Sequence, residues 1–144
     1  MVNKIKIVDN ERFNELGLLI NDNFCNVYKL NDLLNSPYDY LFGYYDCDLL
    51  VGFIHVNKLY ENMDIVNVVV DINYRNKGIA SLLISFVCGY FVDVQNVFLE
   101  VNENNSVAIS LYKKNNFEVI NIRKRYYGND DALIMKRVVE NERC

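Results

Sequence analysis

A strand joined to a helix by one glycine-containing turn is the feature that most limits how this chain can fold. Residues 63–70 (MDIVNVVV) form a nearly continuous apolar run, and the turn DINYRNKGIA (71–80) follows directly. Apolar residues then return at helical spacing, at Ile79, Leu82, Leu83, Phe86, Val87 and Tyr90. Both elements have an apolar side to bury, so the chain is predicted to pack helices against a sheet.

The rest of the sequence supplies more elements of both kinds. Further strands are predicted at 3–8, 38–45, 49–60, 96–101, 117–127 and 131–139. Asp9 is predicted to cap a first helix with Phe13, Leu16, Ile20 and Phe24 near one face; further helices are predicted at 29–36 and 104–115. The order β-α-α-β-β-β-α-β-α-β-β predicts an α/β (α+β) fold, with one mixed sheet flanked by helices.

Composition fits one folded domain over residues 1–144 and argues against two classes of partner. Apolar residues make up 51% of the sequence, enough for a sizeable core. The net charge of −4 disfavours an electrostatic grip on nucleic-acid phosphates. The longest apolar stretch, at 79–94, is interrupted by Ser, Gly and Asp, so no membrane span is expected. No basic segment followed by an apolar run opens the chain, so no secretory signal is expected.

Cysteine and histidine usage predicts neither a metal site nor a disulfide framework. Cys25, Cys47, Cys88 and Cys144 lie far apart without a CxxC pair, and His55 is the one histidine. Free thiols in a reducing cytoplasm are expected. His55 lies within a predicted strand and is expected to be structural or surface-facing.

The segment YRNKGIA (74–80) has the setting of an anion-binding turn. It follows a strand and opens a helix, where backbone N–H groups lack partners and a glycine allows close approach. Neither GxGxxG nor GxxxxGK[ST] is present, so the turn is not a Rossmann fingerprint or a P-loop. Taken alone, it also fits a plain helix entry with Arg75 and Lys77 solvated.

Two stretches resemble the GNAT superfamily of N-acetyltransferases. Arg75-x-x-Gly78-x-Ala80 after an apolar strand resembles its acyl-CoA signature. LEVNENNSVAISLYKKNNFEVINIRKRYYGNDDALIM (99–135) is similar to the RimI branch, which acetylates the N-terminal alanine of a small-subunit ribosomal protein. The likeness covers about half the chain. The sequence departs from the family pattern at two positions. Ala80 replaces the second glycine of the signature, which the signature permits. Asn116 replaces the glycine after the last helix, and Asn tolerates the same left-handed geometry.

The resemblance implies a fold, a cofactor and a set of contacts. It implies a mostly antiparallel sheet of about seven strands with about four helices, acetyl-CoA as acetyl donor and no metal. Val68 and Val70 would give backbone hydrogen bonds to the pantetheine arm, and the turn would hold the pyrophosphate. The residues that it assigns to the cofactor are Val68, Val69, Val70, Arg75, Asn76, Lys77, Gly78, Ile79, Ala80, Asn105 and Tyr112.

Glu100 and Tyr112 are the candidate acid–base pair. Glu100 interrupts the apolar run VFLEV, and Tyr112 follows twelve residues later on the apolar face of a predicted helix. The residues alone leave open a solvent-facing glutamate and a core tyrosine. The resemblance makes Glu100 the base that deprotonates the acceptor amine and Tyr112 the acid that protonates the leaving thiolate.

The resemblance also implies a substrate. Tyr126 and Tyr127 match a tyrosine pair that borders the peptide entrance, although a strand end with solvated basic chains fits them too. The predicted activity is acetylation of a protein N-terminus, that of a ribosomal protein, by a cytoplasmic monomer or weak dimer without nucleic-acid or membrane partners. A small amine or a lysine as acceptor, and a non-catalytic acyl-CoA-binding module, remain alternatives.

Overall fold

A seven-stranded sheet organises the protein, whose computed structural model describes residues 1–139. The strands are β1 (Val2–Lys4), β2 (Asp39–Asp46), β3 (Leu49–Leu59), β4 (Asn62–Val70), β5 (Asn96–Asn102), β6 (Glu118–Tyr127) and β7 (Asp130–Val138). Their order in the sheet is β1-β2-β3-β4-β5-β7-β6. The β4–β5 pair is parallel and the other neighbours are antiparallel. The predicted mixed, mostly antiparallel sheet of about seven strands is confirmed.

Five α-helices lie within residues 1–139, where about four were predicted. They are α1 (Asn10–Leu18), α2 (Phe24–Val27), α3 (Leu30–Asn35), α4 (Ile79–Tyr90) and α5 (Ser106–Lys114). Short 3-10 turns at Ile7–Asp9 and Ile72–Tyr74 precede α1 and α4. The first turn also shortens the strand predicted at 3–8, which ends at Lys4.

The additional helix arises because the first predicted helix is broken. Helix α1 ends at Leu18, and the chain turns before α2 begins at Phe24. The Phe24 ring then packs on Gly17, so closely that a Cβ atom there would lie 2.1 Å from the ring. The helical spacing predicted that Phe13 and Phe24 lie on one face of a single helix. In the structure the two residues belong to separate helices, and their rings are in contact with centroids 5.5 Å apart.

The sheet has a helix layer on each face. Side chains of α4 and α5 cover one face, here the α4–α5 face, with Leu83, Val87 and Tyr112 in its core. Helices α1 to α3 cover the other, the α1–α3 face, with Phe13 and Phe53 in its core. Because side chains alternate along a strand, residues next to each other in sequence are buried in different layers.

Strands β4 and β5 separate shortly after they meet. They pair only at Asn62–Asn96, Met63–Val97 and Asp64–Phe98 in the described part of the chain. A bulge in the β3–β4 register between His55 and Val56 accompanies the separation. Residues 65–70 and 99–102 therefore border a wedge-shaped gap, referred to below as the β4–β5 opening.

In residues 1–139, every helix is too short or too polar to cross a membrane. The longest, α4, has 12 residues, and about 20 are needed.

Candidate active site

The turn between β4 and α4 exposes backbone amides. Asn76 and Gly78 both adopt left-handed conformations, with φ of 63° and 79°. Gly78 is the N-cap of α4 and has no side chain to cap the helix. Within residues 1–139, no atom lies less than 4 Å from the position that its Cβ would occupy. Backbone N–H groups at such a turn, at the positive end of a 12-residue helix, are of the kind that suits an anion.

Contacts on both sides fix this turn in place. Arg75 Nε donates to the carbonyl oxygen of Val70 at 3.1 Å, and Lys77 Nζ lies 5.4 Å from the Tyr74 ring centre. Asp71, at the end of β4, accepts a hydrogen bond from the Asn73 N–H. Neither Arg75 nor Lys77 forms an ion pair with a carboxylate among residues 1–139, although the charge of Arg75 contributes to the lowered pKa of Asp71.

Arg12 of α1 links this turn to the other helix layer. Its guanidinium donates to the Asp71 carboxylate, and its Nε donates to the carbonyl of Leu50 at 2.7 Å. The hydrogen bond from Arg12 holds the pKa of Asp71 below its usual value. Arg12 was not predicted as a site residue, and nothing in its sequence pattern connects it with Asp71.

Strand β4 presents backbone groups to the β4–β5 opening. The N–H of Asp71 donates to the carbonyl of Val51 on β3 at 2.7 Å. Because backbone groups alternate sides along a strand, the amide of Val69 also faces β3. The amides of Val68 and Val70 face the opposite side, toward β5, as an extended amide-containing ligand would need.

Glu100 lies on the opposite border of the opening. Its neighbours Leu99 and Val101 are buried, 4% and 5% exposed, in the core of the α4–α5 face. The Glu100 side chain therefore points to the α1–α3 face, where it is 33% exposed. Its Oε1 lies 2.9 Å from Nη1 of Arg123 on β6.

Tyr112 approaches from the other face. It lies on α5, is 9% exposed, and packs its ring edge against Phe117 with centroids 5.9 Å apart. Burial, and secondarily Tyr127, raises the pKa of Tyr112 to about 12. The phenol thus keeps its proton at neutral pH, as a proton donor must.

Tyr127 is the electrostatic neighbour that Glu100 and Tyr112 share. Burial first, and then the negative charge of Glu100, raises the pKa of Tyr127, and Tyr127 in turn contributes to the raised pKa of Tyr112. Tyr126 is half exposed, with its ring 5.1 Å from that of Tyr127 and 5.5 Å from the Arg123 guanidinium. The predicted acid, base and tyrosine pair therefore gather around the end of β6.

Asn105 begins α5 and is used as its cap. Its Oδ1 accepts a hydrogen bond from the Ala108 N–H at 3.2 Å, which leaves its Nδ2 donor for a ligand. At the other end of α5, Asn115 is buried and its Nδ2 donates to Ser81 Oγ at 3.1 Å. Asn115 was not predicted from sequence; it ties the helix that carries Tyr112 to the first turn of α4.

His55 and the thiols lie outside the predicted chemistry. His55 is buried, its Nε2 lies 2.7 Å from Asp39 Oδ1, and burial lowers its pKa. Cys25 and Cys47 are free thiols, Cys88 is buried, and Cys144 lies outside the described residues. Over residues 1–139 no group of three His, Cys, Asp or Glu side chains is arranged to hold a metal.

Comparison with known sequences finds acetyltransferases. An uncharacterized protein of Mycobacterium leprae is 32% identical over 112 residues, which are 74% of this chain but 31% of that longer protein. The N-alpha-acetyltransferase RimI of Mycobacterium tuberculosis is 28% identical over 129 residues, which cover 85% of this chain and 81% of that protein.

Solved structures share the fold. The ribosomal-protein-S18-alanine N-acetyltransferase of Escherichia coli superposes with a TM-score of 0.81 at 18% identity, over 97% of this chain and 94% of that one. PaiA N-acetyltransferase of Thermoplasma acidophilum, solved with coenzyme A, gives 0.80 at 20% identity, over 96% and 98%. A family model described as acetyltransferase (GNAT) family matches residues 10–117. The glycine turn before α4 and the β4–β5 opening agree with this match, and the chain belongs to the acetyltransferase (GNAT) family.

Proposed function

We propose that this acetyltransferase uses acetyl-CoA to acetylate the N-terminal α-amine of a protein. One observation carries the proposal: Glu100 points to the α1–α3 face, whereas Tyr112 belongs to the α4–α5 face, and the sheet separates the two faces. A reaction that uses both residues must take place at the β4–β5 opening, where the sheet is interrupted. A donor bound on one side and an acceptor bound on the other would meet there.

The residues around the opening fit acetyl-CoA, which supplies the acetyl group as a thioester. The amides of Val68 and Val70 suit the amide groups of a pantetheine arm. The exposed amides at Gly78, with Arg75 and Lys77 beside them, suit a pyrophosphate. Asn105, through its unused Nδ2, would contact the donor from the start of α5.

The acid–base roles follow from the chemistry of a carboxylate and a phenol. Glu100, directly or through a water, would accept a proton from the acceptor ammonium, which frees the nitrogen lone pair for attack on the acetyl carbonyl. Tyr112 would give its phenolic proton to the departing thiolate sulfur. The raised pKa of Tyr112, about 12, keeps that proton available across the physiological range.

The relatives favour a peptide N-terminus as acceptor. One is named an N-alpha-acetyltransferase, and a solved structure of the same fold is that of an enzyme acting on ribosomal-protein alanine. Tyr126 and Tyr127 would border the first residues of the peptide and favour small side chains such as Ala or Ser. We therefore propose a ribosomal protein as substrate, in the cytoplasm, for a single domain acting as a monomer or weak dimer.

The acceptor is tested by a competition among three amines. A peptide with a free N-terminal alanine should be acetylated faster than the same peptide with a blocked N-terminus and an internal lysine, and faster than a polyamine. The reason is that an α-amine titrates near about 8 and a lysine near about 10.4, so more α-amine is neutral at pH 7. Product masses identify the acetylated amine. Faster reaction of the blocked peptide or the polyamine would contradict the N-terminal acceptor and leave only the general transferase.

Replacement of Glu100 tests the base. Glu100→Gln should reduce kcat/KM most at lower pH, where the acceptor amine is protonated and removal of its proton matters most. The measurement is a pH–rate profile with the alanine peptide, and Glu118→Gln, which neutralises an exposed carboxylate on β6, is the matched control. A profile with the shape of the wild-type curve would remove Glu100 from the mechanism.

A further inference from the structure

Asp64 lies at the closed end of the β4–β5 opening. It pairs with Phe98 in the last rung before the two strands separate, and with Asn57 of β3 on its other side. Directly paired residues point to the same face of a sheet, and Glu100 lies two residues beyond Phe98 on β5. The carboxylates of Asp64 and Glu100 therefore project on the same face, the α1–α3 face.

The bulge places a third polar side chain beside them. In a regular strand Asp64 and Asn67, three residues apart, would point to opposite faces. The register shift pairs Asn67 with His55, two residues from Asn57, so Asn67 also points to the α1–α3 face. Its Nδ2 is buried, and none of the residues 1–139 accepts a hydrogen bond from it. An unsatisfied donor and two carboxylates thus project on the same face along the border of the opening.

The two carboxylates differ in their partners. The Glu100 carboxylate is ion-paired with Arg123, whereas the Asp64 carboxylate has no hydrogen bond or ion pair with another of the residues 1–139. Burial, and secondarily the charge of Glu100, raises the pKa of Asp64. Because the Asp64 carboxylate has no ion-pair partner among residues 1–139 and lies near the negative charge of Glu100, it favours binding of a cation or a proton.

We propose that Asp64 is a second carboxylate of the acceptor site, which binds the acceptor ammonium and shares with Glu100 the removal of its proton. This inference rests on the proposed function and deepens it. In the step, one N–H bond of the ammonium breaks and an O–H bond forms on the Asp64 carboxylate. The nitrogen keeps the electron pair, and the proton returns to solvent after the amine has been acetylated.

The charge that acts directly on Asp64 is that of Glu100 on β5. Arg123 and Tyr127 of β6 act on Glu100 in turn. Lys136 of β7 lies over the ring of Phe98, with Nζ 5.7 Å from its centre. On the β3 side Asn57 is neutral and donates to Asp39, which is also bound to His55.

The raised pKa has a stability consequence with a definite sign. A carboxyl whose pKa is higher in the folded than in the unfolded state binds its proton more tightly when folded, so ionisation at neutral pH opposes folding. The contribution of Asp64 to stability is complete at a pH below the pKa that it has in the unfolded chain. That contribution is lost as the pH rises through the higher pKa that Asp64 has in the folded protein. Asp64→Asn should therefore leave the melting temperature at pH 7 unchanged or higher, and the variant should fold.

The experiment compares wild type, Asp64→Asn and the control Glu61→Gln, which removes a charge from the turn before β4. Each is assayed for kcat/KM with the alanine peptide at about pH 6.5 and about pH 9.5, on either side of the α-amine pKa of about 8. Melting temperatures with and without acetyl-CoA confirm folding and donor binding. We expect Asp64→Asn to lose about tenfold or more at the lower pH and much less at the higher, while Glu61→Gln matches wild type.

The outcomes separate the two proposals. A wild-type enzyme that acetylates the peptide, with Asp64→Asn equally active at both pH values, overturns the role of Asp64 and leaves the proposed function standing. An equal loss at both pH values overturns the proton-transfer role. A wild-type enzyme that binds acetyl-CoA and acetylates no peptide overturns the proposed function, and the role of Asp64 falls with it.

Discussion

Tyr112→Phe is expected to reduce turnover by about 10²-fold or more, while acetyl-CoA binding stays within several-fold of wild type. The substitution removes one hydroxyl and keeps the ring that packs on Phe117. That hydroxyl makes no hydrogen bond to the described residues and is not sealed from solvent, although the ring is buried. Its loss should therefore cost proton donation and little stability.

The measurement combines single-turnover acetylation with a donor-binding titration. Tyr90→Phe is the matched control, because Tyr90 is also a helical tyrosine packed against aromatic rings, on α4. It should retain wild-type turnover. A normal rate for Tyr112→Phe would make Tyr112 a packing residue, and another proton donor would have to be sought among the tyrosines of β6.

Gly78→Glu is expected to abolish the rise in melting temperature that acetyl-CoA gives the wild-type protein. A ligand that binds the folded state stabilises it by mass action, so the rise reports binding. Open space surrounds the Cβ position of Gly78, so the new side chain would extend into the region where phosphates approach. It would also bring a negative charge to the positive end of α4.

Gly128→Glu controls for the effects that are not specific to binding. Gly128 also has a positive φ, 73°, and no atom within 4 Å of its Cβ position, but it lies in the β6–β7 turn. Both variants carry the same backbone strain and the same added charge, and only Gly78→Glu should lose the acetyl-CoA response. Absence of the response in the wild type at millimolar ligand would contradict the donor site itself.

Local sequence patterns determined the elements that carry the site. The apolar run of β4, the glycine turn and the helical spacing of α4 were predicted within one residue of their bounds. The helix predicted at 104–115 is α5 (Ser106–Lys114), and its cap Asn105 accepts a hydrogen bond from a residue only three positions later. Each of these features depends on interactions between residues close in sequence.

The first helix was predicted incorrectly for the opposite reason. Phe13 and Phe24 have helical spacing, and in isolation one amphipathic helix would satisfy both. The actual break lets Phe24 pack on Gly17, and lets both phenylalanines pack against Phe53 of β3. Contacts with a strand some thirty residues away outweighed the local pattern.

The sequence by itself thus determined the order of the elements apart from α2, the glycine turn before α4 and the residue types of the candidate acid–base pair. The tertiary structure alone decided that β4 and β5 separate after Asp64, and that Glu100 and Tyr112 approach the opening from opposite faces. It also decided, through the bulge opposite His55, that Asp64 and Asn67 share a face. Strand register and strand separation are set by pairing between distant segments, and a shift of one residue moves a side chain to the other face.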